Sequence, residues 1–367
     1  MKPQLPLEQL MVSAYTVPTD APEADGTSAW DTTKVVVVEA RTGTTYGTGW
    51  TYAPLSAGAL AQEQLAPVLM GSDVFDIAAL HQVMCCTVRT AGRPGIASCA
   101  ISAVDLALWD LKARLLGLPL VRLLGATGNS VPVYGSGGFT TYHDTHLASQ
   151  LNGWVHGLSI PRVKIKIGES WGRAVPNDLQ RVRLARDVIG RQAELYVDAG
   201  GAYQRKQAVR VGLAVAEQGV GWFEAPVDTE DLRGLRLVRD AVACDVAAGA
   251  DAWDLPAFAR LAGSGAVDCL QIDATRCGGL TEFLRAAAVA QAHGLEVSTH
   301  GAPHAHAHGA AAVPNLRHLE WFHDHARVEA MFFDGVLDPK GGTVTPGGSP
   351  GNGLSLRHEA VEPYRIA

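Results

Sequence analysis

Eight ionisable side chains in this 367-residue chain, Lys164, Lys166, Asp198, Glu224, Asp251, Asp273, His300 and Glu320, lie at or just beyond the ends of short apolar runs, the two lysines sharing one run. Asp198 and Glu224 offer hard oxygen donors that suit Mg2+ or Mn2+, with ion pairs to the lysines as the competing reading. Lys164 and Lys166 sit two apart in VKIKIG, so the alternation of a strand points both the same way. Two neighbouring ammonium groups lower each other's pKa, which is how a lysine becomes a base near neutral pH. The Asp273 carboxylate could hold the tautomer of His300 and raise its basicity, against the plainer reading of a buried, hydrogen-bonded histidine. A metal that polarises a carboxylate, flanked by bases on opposite faces, is arranged to remove the proton α to that carboxylate and to stabilise the enediolate.

The elements that must position these groups recur at steps of 20 to 32 residues, about one strand plus one helix. Their β-rich runs are 131–134, 163–167, 194–197, 221–224, 246–248, 269–273, 295–299 and 316–321, separated by helical stretches such as 179–189, 206–217 and 280–293. Alternating elements with short connections imply parallel strands, and eight of them imply closure. In a closed barrel the C-terminal strand ends converge on the face that carries active sites. A lone charge there is usually a solvated terminus or an ion pair, but seven runs ending this way in register ask for another explanation. The fold class is therefore α/β: a (β/α)7β TIM-like barrel over 125–345, an N-terminal α+β capping domain over 1–124, and a C-terminal tail, 346–367, packing on the cap. Within the cap, 32–40 and 47–52 read as a hairpin, and 58–69, 73–90 and 95–116 as helices. The segment 16–29 (TVPTDAPEADGTSA) reads as an exposed loop long enough to be a lid, the alternative being a floppy surface loop.

Composition narrows the partners. Apolar residues make up 47% and charged residues 18%, as in a globular protein. The net charge of −7, with no basic block, argues against a nucleic-acid partner. Six cysteines without a CxxC pair read as reduced thiols of a cytoplasmic protein, and Met1 to Met11 lacks the apolar core of a signal peptide. The longest uncharged stretch, 42–62, is broken by Gly, Thr and Pro54, so no membrane segment is expected.

Two motifs compete for attention. His304, His306 and His308 form HxHxH, which on one strand would be a zinc site; in a loop and short helix the alternation does not converge, so it reads as a decoy. GSGG at 135–138 could offer amides to a substrate carboxylate or be a tight turn.

Taken in order, VKIKIG, YVDAG, WFEAP, QIDATRCGG, VSTHGAP and LEWFHDHARVE resemble the mandelate racemase subgroup of the enolase superfamily over nearly the whole chain. Enolase-superfamily sites are a known instance of the base-plus-metal chemistry above. The resemblance implies Lys166 as the base on one face with Lys164 beside it, and His300, supported by Asp273, on the other. It also implies Asp198 and Glu224 as Mg2+ ligands, and Glu320 hydrogen-bonded to the substrate carboxylate as its charge develops. Two departures stand out. The family places a third metal-binding Glu after the glycine of the fifth strand, where this chain has Ala250 and then Asp251; it also favours a polar residue where this chain has Gly200. Either Asp251 supplies the ligand from one residue later, or two carboxylates hold the metal.

The activity so implied is dehydration of an acid sugar, an aldonate or aldarate, to a 2-keto-3-deoxy acid. Racemisation or epimerisation of a 2-hydroxy acid is the alternative, and a metal-impaired relative that only binds acid sugars is a third reading. Substrate contacts are expected from Tyr15, Asp20, Asp25 and Trp30 on the lid and from the stretch beginning at Ser136. The partner is then a small-molecule carboxylate, and the resemblance implies a homo-oligomer, dimer or octamer.

Overall fold

The computed structural model describes residues 5–367; Met1–Gln4, the start of the segment read as lacking an export signal, lie outside it. Strands β1 (Gln9–Ala24), β2 (Ala29–Thr42) and β3 (Thr45–Thr51) form an antiparallel sheet in that order. The lid-loop expectation for 16–29 is therefore corrected. β1 runs on through it, pairing Thr16 with Lys34 and Pro18 with Thr32, then slipping register before Glu23 meets Trp30. Proline lacks an N–H, yet β1 is an edge strand and the irregularity falls between Pro18 and Glu23, where prolines are tolerated. Only the tip stays a turn, held by the Asp25 carboxylate accepting from the Thr27 and Ser28 amides at 2.7 Å each.

The helix Ile96–Leu115 lies on β3 with its backbone almost in contact. A Cβ at Gly47 would come within 2.2 Å of the Leu111 nitrogen, and one at Gly49 within 2.2 Å of the Ala103 carbonyl oxygen. The same helix buries two carboxylates that tie it to distant parts of the chain. Asp105 accepts from the Thr281 hydroxyl at 2.6 Å and the Thr281 amide at 2.9 Å, while Asp110 accepts from Arg114 and from the Thr48 and Asn352 amides. Both carboxylates are satisfied, as burial requires. The chain end returns to β1, where the Ile366 amide donates to the Ala14 carbonyl.

The barrel is made of eight parallel strands: β4 (Val131–Gly137), β5 (Arg162–Lys166), β6 (Glu194–Asp198), β7 (Val220–Glu224), β8 (Asp245–Ala248), β9 (Cys269–Ile272), β10 (Glu296–Thr299) and β11 (Leu316–Phe322). Each pairs with the next, and β11 pairs with β4, so the barrel is closed. Its lower interior is filled by Tyr134, Tyr196, Trp222 and His318 in mutual ring contact. Among the described residues, no helix is long and apolar enough to cross a membrane.

The HxHxH residues lie on the helix Pro303–Ala310, where a two-residue step turns the side chain by about 200°. Accordingly they diverge. His304 bonds Glu329 at 2.6 Å, His306 accepts from the Ala274 amide at 2.8 Å, and His308 accepts from the Val121 amide while donating to the Asn352 carbonyl. The decoy reading is the right one. His308 has both ring nitrogens engaged in its neutral form, and burial lowers its pKa to about 4. Because the unfolded chain takes up this proton near pH ~6.5 and the native state only below about 4, the stabilisation is full above the first value and lost as pH falls towards the second. We expect H308Q to be less stable than wild type at pH 7, with the gap narrowing by on the order of 3 kcal/mol by pH 4. Urea denaturation across that range checks it; a constant gap would contradict the assignment.

Candidate active site

Strand register assembles the site. Pairing sets Lys166 beside Asp198 and Asp198 beside Glu224, so three strand ends present their side chains together above the aromatic floor. Two residues down β5, Lys164 is fully buried. Its Nζ lies 2.6 Å from Glu224 and 2.7 Å from Glu320, and 4.0 Å from Asp198. Lys166 donates to Asp198. Burial alone would lower both lysine pKa values, yet the surrounding carboxylates outweigh it and hold both raised. The expected mutual depression of the two lysines is thus overridden in this structure. Burial and the neighbouring Asp198 push Glu224 up, whereas Asp198, despite burial, is held low by Lys166.

On the other side, His300 Nδ1 is 3.0 Å from Asp273 Oδ2, and Asp273 Oδ1 accepts from the amide and hydroxyl of Thr275 at 2.7 Å each. Burial would raise the Asp273 pKa, but His300 and Arg276 keep it well below the usual carboxylate range. An ionised Asp273 takes the Nδ1 proton as a hydrogen bond and leaves His300 Nε2 for the cavity.

That cavity, about 1010 Å³, opens between barrel and cap and is lined by Lys166, Asp198, Glu224, Asp251, Arg276 and His300 on the barrel side. Trp30 and Lys34 stand on its cap side. Other expected contacts lie elsewhere. Tyr15 is buried against Phe332, and Asp20 pairs with His323, neither lining the cavity. Ser136 is buried beneath it and donates to Glu320 at 2.6 Å. Glu320 also accepts from the Gly301 amide at 2.6 Å and is held well below its ordinary pKa: burial would raise it, but Lys164 outweighs burial. In this structure it is an ionised acceptor below the cavity wall that pairs with Lys164. The GSGG glycines serve packing: a Cβ at Gly135 would come within 2.6 Å of the Trp154 ring, and the Gly138 amide already donates to Gln150.

Several cavity residues escaped the sequence reading, among them Lys34, Tyr52, Arg276 and His325. His325 stacks on Tyr52 with ring centroids 3.4 Å apart, and its Nδ1 accepts from the Ala302 amide, which leaves the Nε2 proton as a donor. Arg276 spans Asp273 and Asp251 at 3.4 and 3.3 Å. The sequence signal for His325 was its place in the FHDH stretch just after Glu320; for Arg276 it was its place three residues past Asp273.

The residues that could hold a divalent cation are Asp198 and Glu224. Asp251, read from sequence as a third ligand, is exposed and turned to Arg276, and its carboxylate does not converge with the other two within 4.8 Å. Ala250 offers only a methyl group. The Gly200 amide donates to Asp198 Oδ1 at 2.8 Å, and a Cβ at Gly200 would meet the Asp25 carboxylate at 3.4 Å. Mg2+ commonly takes one or two carboxylates and completes its octahedron with water and substrate, so the residues present fit it as a two-carboxylate site.

Comparison with known proteins agrees with this geometry. Residues 146–361 match the family model described as enolase C-terminal domain-like, and residues 10–125 match the mandelate racemase / muconate lactonizing enzyme N-terminal domain. L-talarate/galactarate dehydratase of Salmonella typhimurium is 32% identical over 326 residues, 86% of this chain and 78% of that protein. A mandelate racemase/muconate lactonizing enzyme-like protein from Rubrobacter xylanophilus superposes with a TM-score of 0.94 at 49% identity, covering 98% of this chain and 99% of that one. A racemase from Streptomyces coelicolor A3(2), solved with bound magnesium, superposes with a TM-score of 0.92 at 26% identity, covering 98% of this chain and 100% of that one. The chain is an enzyme that belongs to the mandelate racemase/muconate lactonizing enzyme family of the enolase superfamily.

Proposed function

We propose that this enzyme is a Mg2+-dependent acid-sugar dehydratase. The observation that carries the reading is that Lys166 and His300 line one cavity beside Asp198 and Glu224, under a cap wall rich in polar groups. Asp25, Thr27, Ser28, Asp31 and Thr32 all line that wall, an environment that pairs with hydroxyl groups along a sugar chain. Lys34 lines it too and makes no ion pair among the described residues, which suits a second carboxylate and favours an aldarate over an aldonate. The dehydratase relative supports the same class.

Bound at Asp198 and Glu224, Mg2+ supplies the positive charge that stabilises an enediolate. With the Asp198 charge taken up by a cation, Lys166 would lose the carboxylate that holds its pKa raised, and its neutral form would accept the α-proton at Nζ. The β-carbon–oxygen bond then breaks, and the hydroxyl leaves as water with the Nε2 proton of His300 in its imidazolium form, whose charge Asp273 offsets through Nδ1–H; His300 is left as the neutral Nδ1–H tautomer. The resulting enol tautomerises to the 2-keto-3-deoxy acid. Asp273 keeps His300 oriented for that transfer, and Lys164 and Glu320 fix the position of the Lys166 strand from below. Racemisation or epimerisation is the second reading, favoured by the presence of both Lys166 and His300 on one cavity.

Incubation with Mg2+ in D2O against aldonic and aldaric acids is expected to give deuterium exchange at Cα together with loss of water from an aldarate. Exchange with inverted configuration and no water loss would instead establish the racemase or epimerase. D273N is expected to lower kcat by about 10²–10⁴-fold with the fold retained, since general acid–base assistance is of that size. Steady-state kinetics beside a thermal melt decides it. Calorimetric Mg2+ titration should show A250E binding about tenfold or more tighter than wild type, by its added ligand charge, and D251N unchanged. A large loss in D251N would show that Asp251 is a ligand after all.

A further inference from the structure

Away from the catalytic cavity, three donors from distant parts of the chain meet where the β1–β2 ribbon touches the barrel. Asp20 and Glu23 come from β1, and His323 opens the helix His323–Phe332 that succeeds β11. One ligand atom from each lies within 4.8 Å of the other two, the one such group of three among the described residues. None of them lines the cavity.

Glu23 is the telling member. It is wholly buried, its Oε2 accepts from the Trp30 indole at 2.8 Å, and its Oε1 has no partner. The Tyr142 hydroxyl is likewise buried and without a partner, and Glu23 and Asp20 are the charges acting on it most strongly after burial. Two unpartnered polar groups in one buried spot are costly unless something fills the place between them. Arg327, the cation nearest these carboxylates, donates to Asp324 and to the Pro18 carbonyl at 2.8 Å each, and its Nε is buried without a partner. Asp20 is exposed, which leaves an entry from solvent.

We infer that Asp20, Glu23 and His323 bind a divalent cation of the zinc class, with the Tyr142 hydroxyl or water as a further donor. One imidazole nitrogen and two carboxylate oxygens suit Zn2+ better than the all-oxygen set of Mg2+. The pair His323 Nε2 to Asp20 Oδ2, 2.9 Å in this structure, would open to admit the ion. Such a site staples the cap ribbon to the barrel and, through the Glu23–Trp30 bond, steadies a wall of the catalytic cavity.

The test is calorimetric titration of the chelator-stripped, full-length enzyme with Zn2+ alone, together with E23Q, H323A and D20N. Each variant is expected to bind one equivalent fewer than wild type, or to bind that equivalent about tenfold or more weakly. Zn2+ should also raise the melting temperature of wild type more than that of the variants. D20N alters only an exposed carboxylate, so its result stands even where a buried substitution perturbs folding. Unchanged stoichiometry and affinity in D20N and in the folded members of the other two would overturn the site, since any Zn2+ taken up would then reside at Asp198 and Glu224.

Discussion

A fully buried ammonium group organises this barrel. Lys164 has no exposure, sits 5.2 Å from the Tyr134 ring centre, and is neutralised by Glu224 and Glu320 from two other strands. Burying one such ion costs several kcal/mol, and removing a partner from a buried pair costs ~3–5 kcal/mol. The carboxylates around it are therefore not free to move for chemistry alone. Glu320 is pinned further by Ser136 and by the Gly301 amide, and Gly301 reaches that position in a left-handed conformation, φ 55°, that favours glycine. Lys164 shares β5 with Lys166, and its Nζ lies 4.0 Å from Asp198 at the end of β6.

The barrel part of this arrangement was legible because strand and helix impose a period on sequence. A charge placed at one strand end in each period must land on the same face, whatever the intervening helices look like. All eight strand runs read from sequence coincide with observed strands to within one to three residues at either end. The helix Ile96–Leu115 was equally readable from its apolar spacing.

What failed to show in sequence depended on contacts across long separations. Two prolines made β1 look like a loop, although an edge strand with a slipped register accommodates them. Ser136 was read as a substrate contact from its place in the stretch after the first barrel strand, but depth along the barrel axis, which sequence does not encode, puts it beneath the cavity beside Glu320. The histidines show the same point from both directions. Three in HxHxH look like a cluster and diverge on a helix, whereas Asp20, Glu23 and His323, some 300 residues apart, converge. Residue type is visible in a sequence; convergence is a property of the fold.

Charge balance gives the Ala250 departure a physical meaning. Four buried carboxylates, Asp198, Glu224, Asp273 and Glu320, face three cations, Lys164, Lys166 and Arg276, a formal charge of −1 before His300 and the exposed Asp251 are counted. A divalent cation turns that into +1, which a single substrate carboxylate matches. A third carboxylate at position 250 would hold the metal more firmly, yet it would cancel the positive charge that attracts the substrate. Arg276 is the residue that makes this balance possible. It carries its charge to the cavity wall between Asp273 and Asp251, so the strand that lacks the expected ligand is tied instead to the carboxylate that orients His300. On the proposed function, metal affinity and substrate attraction would in this way be set against each other by one methyl group and one guanidinium.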